Sequence, residues 1–272
     1  MGIRHKVNEK FFDKWSPNMA YVLGYIYADG TLINCDYIRA RYLQIVSIDK
    51  DALERVRGMM DSKHNITKHK SLYLKGHTIY KFKIGNHKIY DDLVKHGLYP
   101  NKSLTVKFPD IPKKYTPHFI RGYFDGDGCV YFEKRKSYTG KIVVKRIRAI
   151  FTSGSKIFFE KMNEIMIGFG IDNGKIYNSK RSFQLVFNNK DSISLFKLMY
   201  KEAGHNTFFM RKFKIFNDYF KARPVNIDRT IRKIIDMHDN GHVVKKLTRQ
   251  SAKLLHEGAN PSVASFVKKI NT

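Results

Sequence analysis

Apolar and polar positions along this chain follow one pattern that occurs twice. In the first half, a mostly apolar stretch that ends at residue 30 precedes an alternating run at 37–47. An amphipathic stretch at 49–60 and alternating runs at 65–74 and 77–84 follow it. Alternation with a period of two predicts strands, and apolar residues three or four apart predict helices. The second half repeats the order at 120–128, 141–153, 156–166, 174–179 and 182–187.

Each half therefore predicts the element order αββαββα, with a closing helix around 87–97 and 189–203. Sheets whose strands alternate with helices on one side are typical of the α+β class. We expect two pseudo-symmetric halves, 1–110 and 111–222, each a sheet covered by helices on one face.

Residues 223–272 fall outside the repeat and predict a small helical extension. Three helical runs occupy 227–239, 242–258 and 260–270. Ten Lys or Arg residues and four acids give this segment a net charge of +6. Two interpretations remain open: a helix-turn-helix whose last helix enters a major groove, or a helical addition to the second half.

The strong positive charge of the chain indicates what kind of molecule it binds. The 272 residues include 51 Lys or Arg and 24 Asp or Glu, a formal net charge of +27. A surface this basic favours a polyanion, and nucleic acid fits best because its bound counterions are released on binding. The longest apolar runs are about nine residues, too short for a membrane helix. Without a leader or a cysteine framework, the sequence predicts a soluble intracellular protein that is not secreted.

Two nine-residue motifs, VLGYIYADG at 22–30 and IRGYFDGDG at 120–128, match at an offset of 98 residues. Small residues lie four apart in each, at Gly24 and Ala28 and at Gly122 and Gly126. Residues four apart share one helix face, so each stripe allows the backbone of another helix to approach closely. We expect the two motif helices to pack along a pseudo-twofold axis with their C-terminal ends together.

An acid precedes the final glycine of each motif, at Asp29 and Asp127. The last turn is the unfavourable end of a helix for a negative charge, and two adjacent carboxylates repel each other. A divalent cation, Mg²⁺ (or Mn²⁺), would compensate both and could support phosphodiester hydrolysis. An Asp-Gly turn after a buried helix would explain one motif alone, whereas the pair in so basic a chain favours a metal site.

The paired motifs resemble those of single-chain LAGLIDADG homing endonucleases. The stretches LYPNKSLTVKFPDIP at 98–112 and HFIRGYFDGDGCVYF at 118–132 are also similar to that family, and the resemblance extends over about 11–220. It implies a monomer whose strands form a saddle on the major groove of a long double-stranded DNA target. It also implies divalent-metal-dependent cleavage of both strands, with no small-molecule substrate and no membrane.

Carried over to this chain, the resemblance places metal ligands at Asp29 and Asp127, helped by backbone carbonyls at Ala28 and Gly126. Tyr27 departs from the family motif, which has an acid there as the second copy does; that position is not the metal ligand.

Further residues could assist the reaction. The family uses lysine, glutamine or arginine near the acids, and Lys102 and Lys212 occupy comparable places after the third helix of each half. The alternative for both is a solvated surface lysine. Gln44 is a further candidate; its approximate counterpart, Ala149, would make the two half-sites chemically unequal.

Basic residues on the predicted strands are candidates for DNA binding. Arg39 and Arg41 alternate on one side of a strand, and Arg146 and Arg148 do the same in the second half. The further basic positions are Lys81, Lys83, Lys141 and Lys145. Each alone could be an ordinary surface charge, but together they match the saddle.

Three functions are compatible with the sequence. The first is a site-specific DNA endonuclease. The second is an RNA-binding intron maturase, and the third is a catalytically silent DNA-binding protein on the same scaffold. The presence of both acids favours the first.

Overall fold

The computed structural model describes residues 5–71, 76, 78–172, 174–204 and 207–238. The chain divides after Pro224 into two units, Met1–Pro224 and Val225–Thr272. Both motif-containing halves belong to the first unit. Among the described residues, no helix is long and apolar enough to span a membrane.

The predicted order αββαββα is confirmed in both halves. The first half consists of α1 (Pro17–Asp29), β1 (Gly30–Cys35), β2 (Ala40–Ser47), α2 (Lys50–Met59), β3 (Ile66–Lys70), β4 (Thr78–Gly85) and α3 (His87–Lys95). The second consists of α4 (Thr116–Asp127), β5 (Gly128–Lys136), β6 (Ile142–Ser153), α5 (Lys156–Ile167), β7 (Lys175–Ser179), β8 (Ser182–Asn188) and α6 (Lys190–Tyr200). A further helix, α7 (Met210–Ala222), follows the second repeat.

The first strand of each half begins directly at the motif glycine, where the sequence pattern had located no strand. Gly30 and Gly128 have extended backbone, with φ −89° and −95°. A Cβ atom on Gly30 would lie 2.5 Å from the Ile26 side chain, and one on Gly128 would lie 2.3 Å from the Phe124 ring. Glycine therefore lets the chain pass from helix to strand without a loop.

Each half forms one four-stranded antiparallel sheet, in the orders β1-β2-β4-β3 and β5-β6-β8-β7. Successive side chains of a strand point to opposite faces, so one face of each sheet is buried under helices and the other is open. The buried face carries Leu43, Ile45, Phe82 and Ile84 in the first sheet and Ile147, Ala149, Phe151, Leu185 and Phe187 in the second.

The register corrects one predicted equivalence. Gly30 pairs with Ile45, and Gly128 pairs with Phe151. Gln44 therefore corresponds to Ile150, which shares its open-face parity. Ala149 is one residue out of register and belongs to the buried face.

The prediction that Arg39 continues a strand is also wrong. Residues Asp36–Ile38 form a 3₁₀ turn between β1 and β2, and Arg39 ends it in the left-handed conformation, with φ 50°. A residue with that backbone cannot continue the extended alternation of a strand.

In the second unit, a helix covers 229–238, and the Asp228 side chain accepts a hydrogen bond from the Ile231 N–H at 2.9 Å. This agrees with the first helical run predicted for the extension. The runs predicted at 242–258 and 260–270 lie outside the described residues, so the helix-turn-helix interpretation stays a prediction.

Candidate active site

The two motif acids meet at the C-terminal ends of α1 and α4. Each is the last residue of its helix. A Cβ atom built on Gly126 would lie 2.4 Å from the Cβ of Ala28 and 3.4 Å from Oδ2 of Asp29. The two helix ends are therefore in contact, as the small-residue stripes predict.

Both acids favour their neutral form more than an exposed aspartate does. Burial and, to a smaller extent, the negative charge of Asp29 together raise the pKa of Asp127 to about 6. Burial also raises the pKa of Asp29, while the nearby hydroxyl of Tyr25 and the positive charges of Lys212 and Lys102 oppose the shift. Ionisation of both acids in the folded protein therefore costs free energy, and a bound cation would remove that cost.

Lys102 and Lys212 both reach this site, and neither is a solvated surface lysine. They are 6% and 5% exposed. The ammonium of Lys102 donates to the Tyr27 carbonyl at 2.8 Å, and that of Lys212 donates to the Asp125 carbonyl at 2.9 Å. Because Tyr27 and Asp125 are equivalent at the repeat offset of 98, the two lysines occupy pseudo-symmetric positions.

The two ammonium groups differ in how fully they are bonded. Lys212 also donates to the carbonyls of Phe124 and Gly128, which engages all three of its donors. Burial lowers the pKa of Lys212 to about 8 and lowers that of Lys102, against the attraction of the nearby acids. Among the described residues, the ammonium of Lys102 makes only the one hydrogen bond, so it keeps donors for another group.

The residues fit a hard divalent cation. Within the described residues, neither motif acid forms an ion pair, because the two lysines are bonded to backbone carbonyls instead. The carbonyls of Ala28 and Gly126 belong to the last turns of their helices, where carbonyls have no partner inside the helix. Carboxylate and carbonyl oxygens are the ligands that Mg²⁺ prefers. No group of three His, Cys, Asp or Glu residues in the described parts of the chain offers a different metal site.

Two tyrosines at equivalent motif positions lie beside the acids and were not singled out from the sequence. The Tyr25 hydroxyl lies 3.4 Å from Oγ of Ser47, and the Tyr123 hydroxyl donates to the Thr152 carbonyl at 2.9 Å. Burial raises the pKa of both phenols, and the charge of the neighbouring aspartate adds to each shift. Their identity across the repeat was the signal that could have identified them.

In the second half, the predicted arginines lie on the open face of the sheet. Arg146 and Arg148 share the parity of Ile150, opposite to that of the buried residues. Arg146 pairs with Glu133 at 2.8 Å, and Arg148 donates to the Tyr131 hydroxyl at 3.2 Å and to Asn188 at 3.0 Å. Glu133 was not anticipated; one of its carboxylate oxygens pairs with Arg146 and the other lies 3.7 Å from the guanidinium of Arg148.

In the first half, the open face carries Lys81, Lys83 and Gln44. Gln44 pairs with Thr31 on β1 and with Lys83 on β4. Because Thr31 is two residues after Asp29, Gln44 lies next to the C-terminal end of the motif helix. The Lys83 ammonium lies 3.7 Å from the centre of the Tyr42 ring, a cation–π contact on the same face.

Arg41 does not lie on that face, contrary to prediction. It shares the parity of the buried Leu43, and its guanidinium pairs with Asp91 of α3 at 2.5 Å and lies over the Tyr90 ring. Arg39 lies in the turn before β2. The two residues therefore do not form a basic stripe on one strand.

The other two lysines lie toward the far end of the second sheet. Lys141 is exposed in the turn that precedes β6, where its carbonyl accepts from the Ser137 N–H. Lys145 is exposed at the register shift between β5 and β6, opposite Glu133 and Lys134.

Residues 117–198 match the family model described as a LAGLIDADG-like domain. These residues carry the similarity to that domain. The match starts within α4, which carries the second motif, and ends within α6, so it covers nearly all of one αββαββα repeat. The LAGLIDADG resemblance of the second motif is thereby confirmed, and the first motif lies outside the match.

Solved structures show the same fold over both halves. The chain is similar to the homing endonuclease I-WcaI bound to its DNA recognition sequence, with a TM-score of 0.51 and 16% identity over 76% of this chain and 91% of that one. It is also similar to the LAGLIDADG homing endonuclease I-GzeII in complex with its DNA target, with a TM-score of 0.50 and 13% identity over 84% and 98%. The LAGLIDADG fold therefore extends beyond the matched domain.

Among characterised proteins, a stretch of 100 residues is 33% identical to the probable translation initiation factor IF-2 of Thermococcus kodakarensis. The match covers 35% of this chain and 8% of that protein. The chain thus spans less than a tenth of the length of this relative.

Proposed function

We propose that this LAGLIDADG protein is a site-specific endonuclease that hydrolyses both strands of a long double-stranded DNA target and depends on Mg²⁺ or Mn²⁺. The observation that carries the proposal is the meeting of two half-buried aspartates at two helix ends related by a pseudo-twofold axis, neither of which forms an ion pair within the described residues. One acid per half matches the two strands of a duplex. Because one chain supplies both acids, it acts as a monomer.

The open faces of the two sheets bind the duplex. Arg146 and Arg148 in the second half and Lys81 and Lys83 in the first present positive charge there. Arginine can contact guanine through two hydrogen bonds in the major groove, whereas lysine more often contacts phosphate. Glu133 and Asn188 keep the arginines ordered, which lowers the entropy lost on binding.

At the site, Asp29 and Asp127, with the carbonyls of Ala28 and Gly126, would hold the cation. A cation held there would supply activation of the attacking water and stabilisation of the leaving oxygen. Lys102 can donate a hydrogen bond to a phosphate oxygen, while Lys212, whose donors are engaged, contributes its positive charge. Gln44, across from the motif end in one half only, makes the two half-sites unequal.

Selection of cleaved and bound sites from a random duplex library tests this function. With Mg²⁺, the wild type should select a long site cut on both strands, and with Ca²⁺ the same site should be bound but intact. Asp29→Asn and Asp127→Asn should bind this site and fail to cut both strands. Cleavage by either variant at the wild-type rate contradicts the metal site.

A parallel selection with structured RNA separates the other functions. Enrichment of RNA and not of DNA would indicate a maturase. A DNA site bound but never cut, with any divalent metal, would indicate a silent DNA-binding protein.

A further inference from the structure

The residue two positions before each motif acid links its helix to the segment that carries a site lysine. In the first half this residue is Tyr27. Its hydroxyl donates to the His96 carbonyl at 2.6 Å, just beyond the end of α3. Its own carbonyl accepts from Lys102, six residues further along the same segment, at 2.8 Å. Side chain and main chain of one residue thus hold both ends of the segment that delivers the lysine.

The equivalent residue in the second half makes the same two links with different chemistry. The Asp125 carboxylate accepts from the Phe209 N–H at 2.8 Å, and Phe209 immediately precedes α7. The Asp125 carbonyl accepts from Lys212, in the first turn of α7, at 2.9 Å. The donating hydroxyl of Tyr27 is thus replaced by the accepting carboxylate of Asp125. In both halves the side chain still links the motif helix to the segment that carries the site lysine.

The environment of Asp125 argues against a packing role alone. It is 1% exposed, and among the described residues its Oδ1 atom has no hydrogen-bond partner. Its other oxygen accepts from both Phe209 and the Tyr21 hydroxyl, the latter at 2.7 Å. An apolar side chain of the same size would fill this space without burying a carboxylate. What it could not do is bind the N–H at the start of α7.

We propose that Tyr27 and Asp125 are positioning residues, each of which fixes the site lysine of its own half. The inference rests on the proposed function in that Lys102 and Lys212 are taken to serve phosphodiester cleavage. Because each residue acts on one lysine, loss of its side-chain link should disturb one half of the site and leave the other intact.

Lysine acylation followed by mass spectrometry tests the placement without any need for nuclease activity. Tyr27→Phe removes one uncharged hydroxyl, so it should accelerate acylation of Lys102 by about fivefold, the factor that corresponds to one hydrogen bond of ~1 kcal/mol. Lys212 in the same sample is the internal control and should react at its wild-type rate. Asp125→Leu should produce the converse pattern. Unchanged Lys102 reactivity in Tyr27→Phe, or an equal rise at both lysines, overturns the proposal.

Strand-specific nicking of the selected duplex, with each strand labelled, tests the consequence. Tyr27→Phe should slow cleavage of one strand about fivefold, the same hydrogen-bond factor. It should have no further effect in a Lys102→Ala background and should keep its effect in a Lys212→Ala background. Equal slowing of both strands in both backgrounds would indicate general loss of packing and overturn the proposal.

The two experiments separate this inference from the proposed function. If the wild type cuts no selected DNA, the proposed function fails, but selective acylation of Lys102 in Tyr27→Phe would still support the positioning role. If the wild type cuts and acylation is unselective, the positioning role alone fails. Should Asp125→Leu not fold, the Tyr27 variant decides the outcome.

Discussion

Gly24 and Gly122 each lie against the backbone of the helix that carries the other. A Cβ atom on Gly24 would lie 2.1 Å from the Phe119 carbonyl oxygen, and one on Gly122 would lie 2.0 Å from the Tyr21 carbonyl oxygen. Phe119 and Tyr21 are themselves equivalent at the repeat offset of 98. The contact is therefore reciprocal, as in an isologous dimer interface, although both helices belong to one chain.

Substitution of either glycine should separate these helices. Gly24→Ala or Gly122→Ala places a methyl group inside the van der Waals radius of a backbone atom that cannot rotate away. We expect a loss of about 1–3 kcal/mol in the free energy of unfolding, the usual cost of overpacking. Urea unfolding followed by circular dichroism measures it.

The matched control is Gly58→Ala. Gly58 lies in α2, and nothing lies within 4 Å of a Cβ atom built there. Alanine is the better helix former, so this variant should gain about 0.5–1 kcal/mol. A loss of stability at Gly58 as large as that at Gly24 would contradict the close-packing argument.

Neutralising a motif acid should stabilise the metal-free protein in a defined pH range. The pKa of Asp127 rises from 3.8 to about 6 on folding. Its penalty is therefore absent below pH 4, grows as pH rises through the folded pKa, and is complete at neutral pH. At pH 7.5 in EDTA, Asp127→Asn should unfold with about 1 kcal/mol or more of additional free energy, the scale of one pKa unit.

Thermal melts of the wild type and of Asp127→Asn measure the difference in their stability as a function of pH. The range from pH 3.5 to 8 extends roughly two units to either side of the folded pKa. The advantage of Asp127→Asn should vanish at the acid end, and Mg²⁺ with target DNA should reverse the ranking because only the wild type holds the ligand fully. Asp110→Asn, at an exposed acid outside the site, is the control. A variant less stable than wild type in EDTA at pH 7.5 would mean that Asp127 holds the fold together.

Two arginines predicted to bind DNA should differ in their effect. Arg148 lies on the open face, so Arg148→Ala should weaken binding to the selected duplex by about 1–3 kcal/mol if it contacts a base. Arg41→Ala should leave affinity nearly unchanged, because its guanidinium is paired with Asp91 on the helix side. Fluorescence anisotropy with the same labelled duplex compares them. Equal losses of affinity would show that the sheet face does not determine DNA contact.

Affinity for DNA should fall steeply with salt. Each phosphate neutralised by a lysine or arginine contributes about 0.9 to the slope of log K against log salt. If Lys83 contacts a phosphate as proposed, Lys83→Ala should reduce that slope by about one, while Gln44→Ala should leave it unchanged. Titrations at four or more salt concentrations give the slopes, and a nearly flat plot for the wild type would exclude duplex DNA as the main ligand.

The sequence determined the fold class because its signals are local and repeated. Alternating runs and amphipathic stretches depend only on neighbouring residues, and their recurrence at a fixed offset revealed two equivalent halves. The glycine and alanine spacing within each motif also determined the helix contact, because residues four apart must share a face. Asp29 and Asp127 could be identified as candidate metal ligands because each lies at the end of a predicted motif helix.

Side-chain direction at the edges of the strands could be decided only by the tertiary structure. Arg39 and Arg41 form an alternating pattern in sequence, but the 3₁₀ turn at 36–38 removes Arg39 from the strand, and β2 turns Arg41 toward α3. A shift of one residue moves every side chain of a strand to the other face. The same sensitivity placed the counterpart of Gln44 at Ile150 and not at Ala149.

For Lys102 and Lys212, the sequence predicted their position along the chain but not their contacts. Their places after the third helix of each half were visible in the sequence, but nothing local indicates that Lys102 returns to the Tyr27 carbonyl or Lys212 to that of Asp125. These contacts join residues 75 and 87 positions apart. They form because the packing of α1 against α4 brings both motif ends to one place, where buried carbonyls require donors and the ammonium groups supply them.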